Sequence, residues 1–163
     1  MHILIKNKFL NYSNYRVKCA IGKRGISSFK KEGDLTTPRG KFKIKALFYR
    51  KDRIKKLKTK LKKIVIKKDM GWCDDPKSKK YNKLIRFPFA QSAEKFFRKD
   101  NIYDLIIVLS YNMHPVKKNK GSAIFIHVAK KKIVPTKGCI AINKKELLKL
   151  LEFIKKTSLV KIT

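Results

Sequence analysis

Along most of this 163-residue chain the apolar positions fall in short runs or alternate with polar ones, a period nearer two than 3.6, which predicts strands. Residues 2–9 and 15–21 flank the polar turn Asn11-Tyr12-Ser13-Asn14 and predict a hairpin. A Gly-, Ser- and Lys-rich loop runs from Gly22 to Gly40. From Lys41 to Tyr49 the residues Phe42, Ile44, Ala46 and Phe48 share one face, the mark of a half-buried strand. In 50–69, Leu57, Leu61 and Ile64 have helical spacing while Ile64-Val65-Ile66 reads as extended, and both readings stay open.

The stretch from Gly71 to Pro88 is rich in Asp, Pro, Lys and Asn and predicts a long irregular loop, the kind that often carries function. Ser92 to Arg98 predicts a short helix. Asp104 to Tyr111, with its Leu-Ile-Ile-Val-Leu centre, predicts a strand buried on both faces, and Ala123 to Val128 a second strong strand. A C-terminal helix follows, with Asn143 as N-cap, Glu146 three residues on, and Leu147, Leu148, Leu151 and Ile154 on its apolar face. Leu159 to Ile162 predicts a last strand. The pattern is a mostly β domain over 1–163 with one or two short helices; two separate cores in this length would each be marginal.

Charge changes the picture of partners more than of fold. The chain has 44 Lys+Arg against 11 Asp+Glu, a formal net charge of +33, which attracts anionic polymers. Arginine stands only at Arg16, Arg24, Arg39, Arg50, Arg53, Arg86 and Arg98, and the lysines are spread along the whole sequence. Readers of nucleic acid exploit the planar arginine fork and gather their charge on one stripe, so the pattern argues against a dedicated nucleic-acid binder. It fits lysines decorating solvent faces.

Three cysteines, Cys19, Cys73 and Cys139, leave at least one thiol unpaired, and no C-x-x-C spacing suggests a zinc or redox site. No apolar run reaches the length of a transmembrane span. The first residues, Met1 to Lys8, do not read as a secretory signal. Nothing in the sequence calls for a metal, a cofactor or an obligate dimer, and a monomer is expected.

The densest chemistry lies between Gly121 and Asn143, where His127 ends a strong strand and Cys139 follows a Pro135-Thr136-Lys137-Gly138 loop. Taken singly, a strand histidine is usually a packed residue and a lone cysteine a small hydrophobe. Together they form a candidate nucleophile and base, because a thiol attacks as thiolate and an imidazole can take its proton. Gly138 lets the backbone bend so that main-chain N–H groups converge on one spot, as an oxyanion hole requires. Thr136 has a hydroxyl placed to orient the loop or the imidazole.

These residues resemble the signature of L,D-transpeptidase (YkuD-like) catalytic domains: His127, a short gap, then Thr136-Lys137-Gly138-Cys139-Ile140. The closest likeness is to a compact branch carrying Gly121-Ser122-Ala123-Ile124-Phe125 before His127-Val128, and Pro135-Thr136 before Gly138-Cys139. Further blocks match in order: Glu32-Gly33-Asp34, Thr37 to Phe42, Gly71 to Pro76, Tyr81-Asn82, Tyr103-Asp104-Leu105 and Tyr111-Asn112. Many family members have His before the Gly and Arg two residues past the Cys; Lys137 and Ala141 stand there here, so contacts from those positions do not carry over.

The resemblance implies a β-sandwich-like fold, a location in the periplasm or cell envelope, and acyl transfer on peptidoglycan stem peptides. Cys139 would form a thioester, His127 would act as base, and the Gly138 and Cys139 amides would hold the oxyanion. The acceptor, whether a stem amine, a free D-amino acid, a lipoprotein or water, stays open. Arg39 is a candidate for a stem carboxylate, and Trp72 and Tyr111 for the wall of a groove. Two other readings are a non-catalytic basic domain that docks on wall polymer or nucleic acid, and acyl transfer or hydrolysis on a non-wall amide.

Overall fold

The computed structural model describes residues 2–163. Its frame is one nine-stranded sheet. The N-terminal meander is β1 (His2–Lys6), β2 (Phe9–Tyr12) and β3 (Tyr15–Ala20). The expected single hairpin is thus three strands: Asn7 and Lys8 take positive φ of 50° and 61° and turn the chain two residues before the predicted strand ends. The loop 22–40 contains the two-residue pair β4 (Ile26–Ser27) and β5 (Thr37–Pro38).

The long strand β6 (Gly40–Tyr49) buries Phe42 and Ile44 on one side, but the expected single face is corrected: a bulge between Ile44 and Ala46 breaks the alternation, so Leu47 packs with Phe42 and Ile44 while Ala46 and Phe48 turn to the opposite side. Its first residues pair with the C-terminal strand β14 (Leu159–Ile162), and Ile44 to Tyr49 pair with β11 (Leu105–Leu109). Since β11 also pairs with β12 (Phe125–Val128), and β12 with β13 (Ile140–Ile142), the strand order closes on itself through β6. The enclosed core takes Ile3, Leu10, Ile44, Ile107, Ile126 and Ile142 from these strands. It also takes Leu147, Leu150, Leu151 and Ile154 from the single helix α1 (Lys144–Phe153) and its C-cap.

Asn143 caps α1 as the sequence predicts, its side chain accepting the Lys145 N–H at 2.9 Å. That contact satisfies one of the orphan donors of the first turn.

Strand β11 is buried along its whole length because its two faces serve two cores. Leu105, Ile107 and Leu109 enter the enclosed core, while Ile106 and Val108 face a second cluster with Phe48, Trp72, Phe96, Tyr103 and Phe125. That cluster lies under a three-stranded sheet of β8 (Met70–Cys73), β9 (Leu84–Arg86) and β10 (Ala93–Lys95).

Two expectations are corrected there. Residues 71–88 hold two strands within the predicted loop. Ser92–Arg98 contains the short strand β10 instead of a helix, because Ala93, Glu94 and Lys95 pair with Cys73, Trp72 and Gly71. In the open segment 50–69 the extended reading holds: turns lead to β7 (Lys63–Val65), which runs parallel to β6.

Candidate active site

Strand parity decides what can meet. In the parallel pair β12–β13, His127 stands opposite Ala141 and Ile126 opposite Ile140. Side chains alternate faces with period two, so Cys139, two residues before Ala141, projects to the same side as His127 and Phe125. That side is the second core, against which Cys139 packs. His127 and Cys139 both line a cleft of about 490 Å³, with Tyr103, Glu94, Arg98 and Thr136 among its other walls. A smaller arm of about 210 Å³ adjoins it, and the two share Leu35, Glu94, Lys137 and Cys139.

His127 is buried, with Nδ1 at 2.9 Å from the Val128 carbonyl oxygen. A carbonyl only accepts, so Nδ1 carries the proton of the neutral ring and Nε2 is left with its lone pair. Burial pushes the imidazole down from 6.5 to about 4, against the pull of the Val128 carbonyl toward the charged form. The imidazole and the Tyr103 ring pack T-shaped, at 5.4 Å between centroids and 89° between planes.

The Cys139 thiol donates to the Ala123 carbonyl at 3.0 Å, and its sulfur accepts the Phe125 N–H at 3.4 Å. Burial, and then the nearby Glu94 charge, push the thiol up to about 12. Near neutral pH the thiol and the imidazole are therefore both uncharged.

Thr136 braces the loop before Cys139. Its Oγ1 donates to the Cys139 carbonyl at 2.6 Å and accepts the Gly138 N–H at 3.1 Å. The Gly138 amide is thereby engaged, whereas the Cys139 N–H has no acceptor among the described residues. Gly138 itself has φ of 146°, and a Cβ there would stand 2.8 Å from the Thr36 carbonyl oxygen, so only glycine fits.

Several supports were silent as site residues in the sequence. Thr37, fully buried, donates to the Gly138 carbonyl at 2.8 Å and accepts the Gly22 N–H at 2.8 Å. Asn82 Oδ1 accepts from Ala123 N–H at 3.0 Å and from Trp72 Nε1 at 2.9 Å. Ala123, the residue whose carbonyl holds the thiol, has a positive φ of 52°. Tyr103 donates to Glu94 Oε2 at 2.6 Å. The Tyr81-Asn82 and Tyr103-Asp104-Leu105 blocks carried the signal, but not the roles.

The remaining candidates lie elsewhere. Arg39 is exposed, and Trp72 is buried with its ring stacked on Phe96. Tyr111 packs edge-on to Phe42 and donates to the Lys120 carbonyl. None of the three lines either arm of the cleft.

A comparison with protein families agrees with this architecture: the model of the L,D-transpeptidase catalytic domain, YkuD, matches residues 4–162. The chain belongs to this family. No curated protein matches the chain. The match covers the sheet, the helix and both arms of the cleft, so membership of the L,D-transpeptidase family supports transpeptidase-type catalysis and a peptidoglycan-related role for the whole domain.

Proposed function

We propose that this protein transfers acyl groups of peptidoglycan stem peptides through a thioester on Cys139, with His127 as base. The observation that carries the reading is the shared cleft: a cysteine, half-buried as a residue, and an imidazole line the same cavity, and the imidazole's Nδ1 is committed to a carbonyl, leaving Nε2 to receive a proton. Family membership supplies the substrate class.

In the first half-reaction the Cys139 proton passes to Nε2 as sulfur attacks the amide carbonyl after the third stem residue. The C–S bond forms, the C–N bond breaks, and His127 returns the proton to the departing D-alanine amine. The Cys139 N–H, free of acceptors among the described residues, stabilises the tetrahedral oxyanion, with Gly138 contributing once substrate competes with Thr136. In the second half-reaction an amine or water attacks the thioester and the thiol is regenerated. By the same reading the protein works in the cell envelope.

The test is intact-protein mass spectrometry after incubation with a disaccharide-tetrapeptide, wild type against Cys139→Ala. The expected result is an adduct on the wild type alone, lacking the terminal D-alanine. Absence of both adduct and stem product removes the stem-peptide reading and turns the search to other amides.

A further inference from the structure

One lysine of this lysine-rich chain is buried, and it lies against the turn that carries Cys139. Among the described residues every other lysine reaches solvent, whereas the Lys30 side chain is 4% exposed. An ammonium is costly to take out of water, and lysine is rarely buried without a partner.

Two glycines make room for it. A Cβ at Gly138 would stand 3.6 Å from Lys30 Cε and Nζ, and one at Gly121 would stand 3.0 Å from Cε and 3.2 Å from Cγ. Gly138 precedes Cys139, and Gly121 stands two residues before Ala123, whose carbonyl accepts the thiol. Lys30 therefore packs against both segments that hold the sulfur, and it lines the smaller arm of the cleft together with Cys139.

The pairing of its ammonium is lopsided. Nζ donates to Asp34 Oδ1 at 2.7 Å and to the Lys31 carbonyl at 3.2 Å, which leaves one of its three N–H groups without an acceptor among the described residues. Asp34 is better supplied. It also accepts the Lys31 N–H at 2.7 Å, and the Thr36 N–H and hydroxyl at 2.9 Å each. Donors of its own loop thus hold that carboxylate besides the cation. Lys30 lines the arm and Asp34 does not, so the positive end of the pair is the end turned to Cys139.

The other charged groups on this arm are Glu32, Asp74 and Glu94 against the exposed Lys137. Glu32 accepts the hydroxyls of Tyr81 and Ser122, and Glu94 accepts that of Tyr103. Three carboxylates work against an anion at Cys139. Burial and then Glu94 push the thiol up, and Lys30 pulls the other way.

On the thioester reading above, we propose that Lys30 is a fixed positive charge behind the Gly138–Cys139 turn that stabilises the negative charge developing on the Cys139 sulfur. The S–H bond breaks, the proton passes to His127 Nε2, and the electron pair stays on sulfur within the field of the ammonium. Lys30 keeps its own proton and forms no bond to substrate. Because it is fixed and already dehydrated, it needs no reorganisation when the anion forms. Inside the protein its field is weakened far less than that of the surface lysines, which salt screens.

Alkylation of Cys139 by iodoacetamide, located by peptide mapping, reads this without any stem peptide. Two variants break the same ion pair with opposite electrical consequences. Lys30→Met removes the positive charge and leaves Asp34 negative. Its alkylation rate near pH 8 should fall by about five-fold or more, with the rise in rate displaced to higher pH. Asp34→Asn leaves Lys30 charged without its counter-charge and keeps Oδ1 for Lys30 and Thr36. Its rate should rise by about two-fold or more. A merely structural pair would loosen the same loop in both variants and move both rates the same way. The gap between wild type and Lys30→Met should also survive about 1 M salt, where surface charge is screened. Rates that move in one direction, a Lys30→Met rate equal to wild type, or a gap abolished by salt overturns the proposal. If Lys30→Met does not fold, Asp34→Asn decides alone, and a rate that does not rise overturns it. If the wild type forms no adduct with the disaccharide-tetrapeptide while the two alkylation rates still part, the stem-peptide reading falls and the role of Lys30 stands.

Discussion

Thr37 Oγ1 reaches the Gly138 carbonyl at 2.8 Å although the two residues are 101 positions apart. The same oxygen accepts the Gly22 N–H, so one buried hydroxyl ties the loop at 22–40 to the turn that presents Cys139. Thr37→Val keeps the shape and leaves both backbone groups unpaired, each at a cost of roughly 1–3 kcal/mol. Urea unfolding should show that loss, and Cys139 acylation should slow beyond what the fraction unfolded explains. Thr37→Ser, which retains the oxygen, should recover most of both.

Asn82 is the corresponding support on the other side of the thiol. Its four hydrogen bonds, two accepted by Oδ1 and two donated by Nδ2 to the Tyr111 and Asn112 carbonyls at 3.0 and 2.7 Å, exhaust the side chain's ordinary capacity. It also stands at φ of 56°, which Asn tolerates better than most residues. Asn82→Leu strands these partners and is expected to cost more than about 3 kcal/mol. Where any folded protein is recovered, Trp72 fluorescence should shift, since the indole N–H loses its acceptor. Unchanged stability would mean that other groups had taken up those bonds.

How much of this was legible follows from the range of each interaction. Phe42 and Ile44, the doubly buried Ile106 and Ile107, Asn143 at its helix and the strand at Leu159 were readable because period and cap are local. Ser92–Arg98 was not: seven residues with Ala, Glu and Lys carry a helical preference, and pairing with Gly71–Cys73 overrides it. Cys139 and His127 announced themselves within one segment. Thr37, Asn82 and Glu94 did not, since each acts through a partner 29 to 101 positions away or through a cavity wall that exists only once the sheet has closed.

The neutral state of the Cys139 thiol has a direct readout. With the thiol pushed up to about 12, alkylation of Cys139 by iodoacetamide should climb steadily from pH 7 to 10, with no plateau near the ordinary thiol value of 9.0. Peptide mapping separates it from Cys19 and Cys73, both buried and expected to stay unlabelled in the folded protein. A rate already level below pH 8 would reveal a preformed thiolate and refute the general-base account.

His127 makes the opposite edge of the pH range fragile. Its pKa falls from 6.5 to about 4 on folding because burial disfavours the charged ring. Above 6.5 the ring is neutral in both states and contributes no pH dependence. Between 6.5 and 4 the unfolded chain binds the proton and the folded one does not, so stability declines as pH falls, by about 3 kcal/mol at most. Carboxylates held low, such as Asp34 and Asp52, add their losses only below their ordinary value of 3.8. The two windows are therefore separable. Urea midpoints taken from pH 7 to 4.5 should fall for the wild type and fall less for His127→Gln, whose side chain does not titrate. Parallel slopes in the two proteins would show that the ring is protonated in the native state, and the base assigned to Nε2 would then need another candidate.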